Sequence, residues 1–263
     1  MSSVKERQKR SAREGHGRFG FIRGLLVLLF WLVVWEIISL IVGLELLVPS
    51  PLTVAKTWIS LARKPGFWLS AAMSLLRVAC GFAVGTAIGT LLAFLTHYIR
   101  PARILFEPLI KVIRAVPVAS FIILALVWVR TEALPSFISA AMAAPMVWQS
   151  VSGALESDVD RGLLEMAQVY HIGRARSFAN IIVPSIFPAF MTGALNALGF
   201  AWKSGIAAEV ICQPALSIGR QLQTAKLTLE TSQVFAWTCT VCALSMALER
   251  LLKLAANRMG RRS

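Results

Sequence analysis

Glu36, Arg77, Lys111, Arg114, Lys203 and Glu209 stand within stretches that are otherwise apolar. Ionisable groups at membrane depth are expensive and by default mark paths for ions or solutes. Arg77 lies near the outer end of its block, and Lys111 and Arg114 lie in the inner half of theirs, so these three are expected to snorkel to an interface. Lys203 and Glu209 have no such exit. Six residues apart, they point about 120° from each other on a helix, so each needs a partner on another helix, on a second copy of the chain, or on a solute. Lys203, Glu209, Glu36 and the neighbouring Trp202 are therefore the candidate translocation-path residues.

Other chemistry finds little support. There is no G-x-x-x-x-G-K-S/T loop to cradle phosphates, so ATP chemistry would belong to another polypeptide. No G-x-S-x-G or H-E-x-x-H pattern and no paired carboxylates lie in the apolar blocks. His16, His97 and His171 are isolated from one another in sequence and suggest no metal site. Cys239 and Cys242 form a C-x-x-C, but inside an apolar helix without the βαβ context of redox motifs, so packing is the expected role. With Cys80 and Cys212 they imply no disulfide framework.

The elements that must position these residues are set by composition. Of 263 residues, 57% are hydrophobic and 15% charged, and mean hydropathy is +0.69. The apolar residues fall into blocks near the roughly 20 residues a helix needs to cross a bilayer. An all-α polytopic membrane protein with about six transmembrane helices is expected. The first crossing is Leu25 to Gly43, ended by Val48-Pro49-Ser50-Pro51. Residues 52–70 suit a short helix at the outer interface. Ser74 to Tyr98 forms the second crossing, with Gly81, Gly85 and Gly89 on one stripe that lets another backbone approach. Leu105 to Val129 is the third. Ser136 to Leu155 is the fourth, with Pro145 expected to kink it. Ser185 to Ile211 and Val234 to Leu254 complete the set.

The formal charge of +14 would suggest nucleic acid in a soluble protein, but here the cations sort by side. Lys5, Arg7, Lys9, Arg10, Arg13, Arg18 and Arg23 precede the first crossing, and Arg250, Lys253, Arg258, Arg261 and Arg262 follow or end the last. By the positive-inside rule both termini are cytoplasmic. No nucleic-acid partner is expected, and the basic arm adds contact with membrane lipid. The leader is not read as a signal peptide, because its apolar run is too long and lacks an A-x-A site. The expected organisation is a basic arm (1–23), a single transmembrane domain (24–255) and a basic tail (256–263).

The polar stretch 156–183 interrupts the apolar pattern on the cytoplasmic side. Ser157 or Asp158 can cap a helix beginning near Val159, with Leu163, Leu164, Ala167 and Val169 on an apolar side beside Glu165. A membrane surface or a groove in a soluble partner could cover that side. Glu165-Met166-Ala167, Gly173 with Arg174, and Ile181-Ile182-Val183-Pro184 resemble the E-A-A loop of ABC importer permeases. Arg114-Ala-Val-Pro117, Leu47-Val-Pro-Ser-Pro51 and Ala207-Ala208-Glu209 resemble the nitrate, sulfonate and taurine branch. Residues 156–184 would then carry an amphipathic cytoplasmic coupling helix, with Glu165, Ala167, Gly173, Arg174, Ile181 and Pro184 as coupling residues. His171 stands where such permeases carry a glycine, so the turn ending the helix is expected to shift toward Gly173. Arg130 replaces another family glycine after the third crossing.

The resemblance implies a permease subunit of the bacterial cytoplasmic membrane and no enzymatic activity in this chain. It implies two copies of an ATP-binding subunit holding ATP and Mg, a second permease copy forming a homodimer, and an extracytoplasmic solute-binding protein. No cofactor is expected on this chain. The implied cargo is a small anionic or zwitterionic solute such as a sulfonate, nitrate or a taurine-like compound. The alternative from a different class is a stand-alone channel or ion-coupled secondary transporter using Glu209, Glu36 and Lys203, although the inverted repeat of many such transporters is not apparent.

Overall fold

Proline and glycine punctuation sets where the helices begin and end. The computed structural model describes residues 23–259, all helices and their connections, with no strand among them. The basic arm expected over 1–23 and the end of the tail lie almost wholly outside the described residues. The described residues form two units, one of residues 23–61 with 225–236 and one of 62–224 with 237–259.

In the first unit, α1 (Arg23–Val42) carries exposed Leu, Val, Phe and Trp side chains along most of its length. Gly43 ends it at φ 65°, a conformation glycine adopts without a Cβ penalty. The following Val48-Pro49-Ser50 segment folds back onto α1. Trp35 Nε1 donates to the Pro49 carbonyl at 3.1 Å and Ser39 Oγ to the Val48 carbonyl at 2.9 Å. Ser50 then caps α2 (Pro51–Ala62), its Oγ accepting from Thr53 N–H at 3.2 Å.

The second unit is built on α3 (Pro65–Tyr98), α6 (Leu134–Ser157) and α9 (Val183–Cys212). The expected interfacial helix over 52–70 is divided at Pro65, which opens α3 at its first turn. As a result α3 starts nine residues before the expected crossing and is 34 residues long. The glycine stripe does what its spacing predicts. A Cβ on Gly81 would collide with the Ser136 carbonyl, one on Gly85 would stand 2.5 Å from the Ala140 carbonyl, and one on Gly89 would meet Ala144. Each step of four along α3 matches a step of four along α6, so the two helices run in the same direction. On α9, Gly193 meets Ser150 and Gly205 meets Ser139, so α9 runs opposite to α6. Ala143, Val147, Val151, Ala197 and Ala201 fill the core between them.

The third block departs from expectation. Instead of one crossing over 105–129, α4 (Arg100–Ala115) and α5 (Val118–Ala125) meet at a bend of 107°. Pro117 is the cause: its ring excludes the helical conformation at Val116, which is extended at φ −71°, ψ 130°. Lys111 stays exposed, its Nζ 2.8 Å from Glu107, which also pairs with Arg103 at 3.3 Å. Pro145 sits buried within a continuous α6.

The polar stretch after α6 holds α7 (Arg161–Val169) and α8 (Arg174–Ser177), followed by a π-helical turn at Phe178–Ile182. The turn precedes Pro184, whose missing N–H and ring cannot fit a regular α-helical ladder, and the wider turn absorbs the misfit. The helix then continues, so Arg174–Cys212 forms one 39-residue rod. The expected outer loop after Cys212 contains α10 (Ile218–Leu227), and the last helix, α11, is Thr231–Met259. By length and composition α1, α3 and the rod can each cross a membrane, and the bent pair α4 and α5 would be a fourth crossing.

Candidate functional site

Asp160, not Ser157 or Asp158, caps α7: its Oδ1 accepts from Gly162 N–H at 2.8 Å. The helix ends on His171 at φ 54°, with His171 N–H bonding the Gln168 carbonyl at 3.0 Å and Ile172 N–H the Ala167 carbonyl at 2.8 Å. These are the two bonds of a Schellman turn with the left-handed residue at His171. The turn therefore keeps its place and does not shift toward Gly173, which is extended at φ −60°. Histidine tolerates that region better than most residues, at a cost of about 1 kcal/mol.

Ala167 is the residue of α7 that packs inward, at 4% exposure. Of the expected apolar side, Leu163 and Val169 are exposed and Leu164 is half-buried, and Met166, Tyr170 and Ile172 beside them are exposed as well. Glu165, Gly173 and Arg174 lie exposed around them, Pro184 is exposed at the start of α9, and Ile181 is half-buried in the π turn. An exposed apolar patch of this extent rimmed by polar groups marks a protein or membrane contact.

At the other end of α9 the sequence reasoning about Arg77 fails. Arg77 is 9% exposed and does not snorkel. It donates to Glu132 Oε2 at 2.8 Å and to the carbonyls of Ala215 at 2.8 Å and Leu216 at 3.2 Å, and it stands 3.5 Å from Glu209. Glu209 is fully buried, so its ion-pair partner is Arg77 and not Lys203. Its Oε2 accepts from Ser74 Oγ at 2.6 Å and from Gly219 N–H at 3.2 Å, while Ser74 Oγ accepts from Ile218 N–H at 2.9 Å. The carboxylate thus meets the N-terminus of α10, where exposed N–H groups and the helix dipole favour negative charge. Only glycine fits at 219, because a Cβ there would collide with Glu209 itself. The five donors of a guanidinium let one side chain tie α3, the turn before α6 and the 213–217 loop together.

Trp202 is also structural. It is 1% exposed, and its Nε1 donates to the Val241 carbonyl at 3.2 Å, fixing α11 against α9. Lys203 differs: it is exposed. Between Ala189 and Val210 the exposed residues of α9 are Thr192, Asn196, Phe200 and Lys203, a single stripe on which three of four are polar. The exposed residues of α3 over a comparable length, including Leu76, Val84, Ile88 and Leu91, are apolar, as lipid requires. Glu36 is half-buried on α1. Sequence reasoning overlooked Asn196 and Thr192, although their spacing from Lys203 was visible. It also overlooked Glu249 of α11, whose Oε1 lies 3.7 Å from where a Cβ on Gly199 would stand.

Parallel and antiparallel helices packed through glycine, several of them long and apolar enough to cross a bilayer, make this an all-α membrane protein. The chain belongs to the family described as binding-protein-dependent transport system inner membrane component, whose pattern matches residues 85–261. It is 32% identical over 194 residues to a Brucella melitensis protein named as a probable ABC transporter permease, covering 71% of this chain and 75% of that one. It is 25% identical over 232 residues to the taurine transport system permease protein TauC of Escherichia coli K12, covering 86% and 83%. The fold matches a solved amino acid ABC transporter with TM-score 0.60 at 18% identity, over 76% of this chain and 94% of that one. The chain is thus the permease subunit of an ABC importer in the inner membrane, and its part is transport.

Proposed function

We propose that this permease moves a small anionic or zwitterionic solute across the bacterial cytoplasmic membrane as one half of a homodimer. Six crossings are formed by α1, α3, the bent pair α4 and α5, α6, the rod ending in α9, and α11, with both termini cytoplasmic. Two copies of an ATP-binding subunit, carrying the ATP and Mg, dock on the cytoplasmic face, and an extracytoplasmic binding protein delivers solute to the outer face. This chain holds no cofactor of its own.

The observation that carries the reading is α7 with its apolar side turned outward. It lies between α6 and the rod, three residues after the end of α6, and those two helices are locked together through Gly193 and Gly205. Closure of the ATPase pair on nucleotide would push on Leu163, Met166 and Tyr170, with Glu165 and Arg174 setting the polar register. The 39-residue rod, about 58 Å long, carries that push past Lys203 to the Arg77–Glu209 cluster. Glycine-mediated packing resists bending, so α3, α6 and α9 would rock as one body between two discrete arrangements. Lys203, Asn196 and Thr192 then line the path. The kinship with a taurine transport permease supports a solute bearing an acid group.

Co-purification tests this. A tagged chain purified from its native membrane should bring an ATP-binding subunit with it, and Met166→Asp together with Leu163→Asp should release it. Retention of the ATPase by the double variant would remove α7 as the docking element.

A further inference from the structure

Lys203, exposed on α9, and Glu249, half-buried on α11, carry opposite charges, and neither makes an ion pair among the described residues. Gly199 leaves the surface of α9 bare where Glu249 Oε1 approaches. Lys203 is four residues further along the same stripe, about 6 Å up the helix axis, and the two side chains do not close on each other. Nor does Glu249 pair with Lys253 one turn on along α11. Asn196, exposed on the same stripe toward the cytoplasmic side, adds a group that both donates and accepts. An ammonium and a carboxylate held open at membrane depth are each costly unless something occupies the gap.

Resting on the importer reading above, we propose that Lys203 and Glu249 form a solute subsite selective for zwitterions, Lys203 taking the acid group and Glu249 the ammonium of one small molecule. A plain anion that reaches Lys203 meets the Glu249 carboxylate one turn away, and a plain cation meets the reverse. The pair therefore disfavours both by repulsion while satisfying a molecule that carries both charges. Trp202, anchored to α11 through Val241, fixes the register of α11 against α9.

The full purified chain in neutral-lipid nanodiscs is titrated with taurine and homotaurine as zwitterions, and with ethanesulfonate and ethylammonium as the single-charge halves. The zwitterions should bind about tenfold or more tighter than either half. Lys203→Met should erase the preference over ethylammonium, and Glu249→Gln the preference over ethanesulfonate. Ligand-free melting should be unchanged in both variants. Equal binding of all probes, or no binding by either zwitterion, overturns the proposal. So does a loss of ligand-free stability in each single variant that the double variant restores, because the charges would then be each other's partner. Binding by the isolated chain needs no ATPase, so failure of co-purification and failure of zwitterion selectivity are read separately.

Discussion

Replacing Arg77 by Met keeps most of the buried stem and removes the guanidinium donors from the cluster where α3, α9 and the 213–219 loop meet. Glu132 would lose its 2.8 Å partner, the Ala215 and Leu216 carbonyls would lose theirs, and Glu209, fully buried, would retain only Ser74 and Gly219. Removing one member of a buried ion pair costs about 3–5 kcal/mol, a factor of about a hundred to several thousand in the folded-to-unfolded ratio. Glu209→Gln should cost less, about 1 kcal/mol, because the amide oxygen still accepts from Ser74 and Gly219 while Glu132 still neutralises Arg77. In the double variant no charge is stranded at 209, so it should be more stable than the sum of the singles by about 1–3 kcal/mol. Equilibrium unfolding in mixed micelles, followed by circular dichroism, measures all four proteins. Additivity within about 0.5 kcal/mol would show that the arginine does not act on the glutamate and that the cluster is not the staple of the 213–219 loop.

Gly85→Val should lower stability by about 3 kcal/mol or more, since its Cβ alone would stand 2.5 Å from the Ala140 carbonyl and 2.8 Å from its Cα; Ala83→Val on the exposed side of α3 is the control, and equal melting of the two would contradict the close packing. His171→Gly should stabilise the end of α7 by about 1 kcal/mol and leave ATPase docking intact, whereas His171→Val, β-branched at φ 54°, should weaken both; slower amide exchange at Ile172 in the glycine variant checks this. Tags at residue 55, within 130–135 and near 222 should be reachable from outside the cell, and a tag near 160 should not; external labelling at 160 would sink the proposed topology.

Local chemistry was legible and non-local pairing was not. The spacing of Gly81, Gly85 and Gly89 announces a close helix contact, because a period of four puts all three on one face, but nothing local says that α6 receives it. Pro117 was visible and restricts Val116, yet the apolar run on either side reads as continuous, so the bend of 107° was missed. Arg77 reads as a snorkelling residue from its place near a helix end. Its partners Glu132, Ala215 and Glu209 are 55 or more residues away, beyond any pattern along the chain. His171 was read as displacing a turn, when the backbone geometry of the turn was kept and the side chain tolerated. Glu249 was hidden by Arg250 and Lys253, which make the end of α11 look like the cytoplasmic basic border.

The claim that α7 transmits the work of ATP hydrolysis is tested most directly in proteoliposomes holding the assembled importer, with uptake and ATP hydrolysis measured together for the wild type and for Glu165→Arg. Glu165 is exposed and lies away from the polar stripe of α9, so the variant should insert and dimerise normally. It should then lose uptake together with the stimulation of ATPase by loaded binding protein. Full uptake with normal stimulation in Glu165→Arg would contradict the coupling role of this helix.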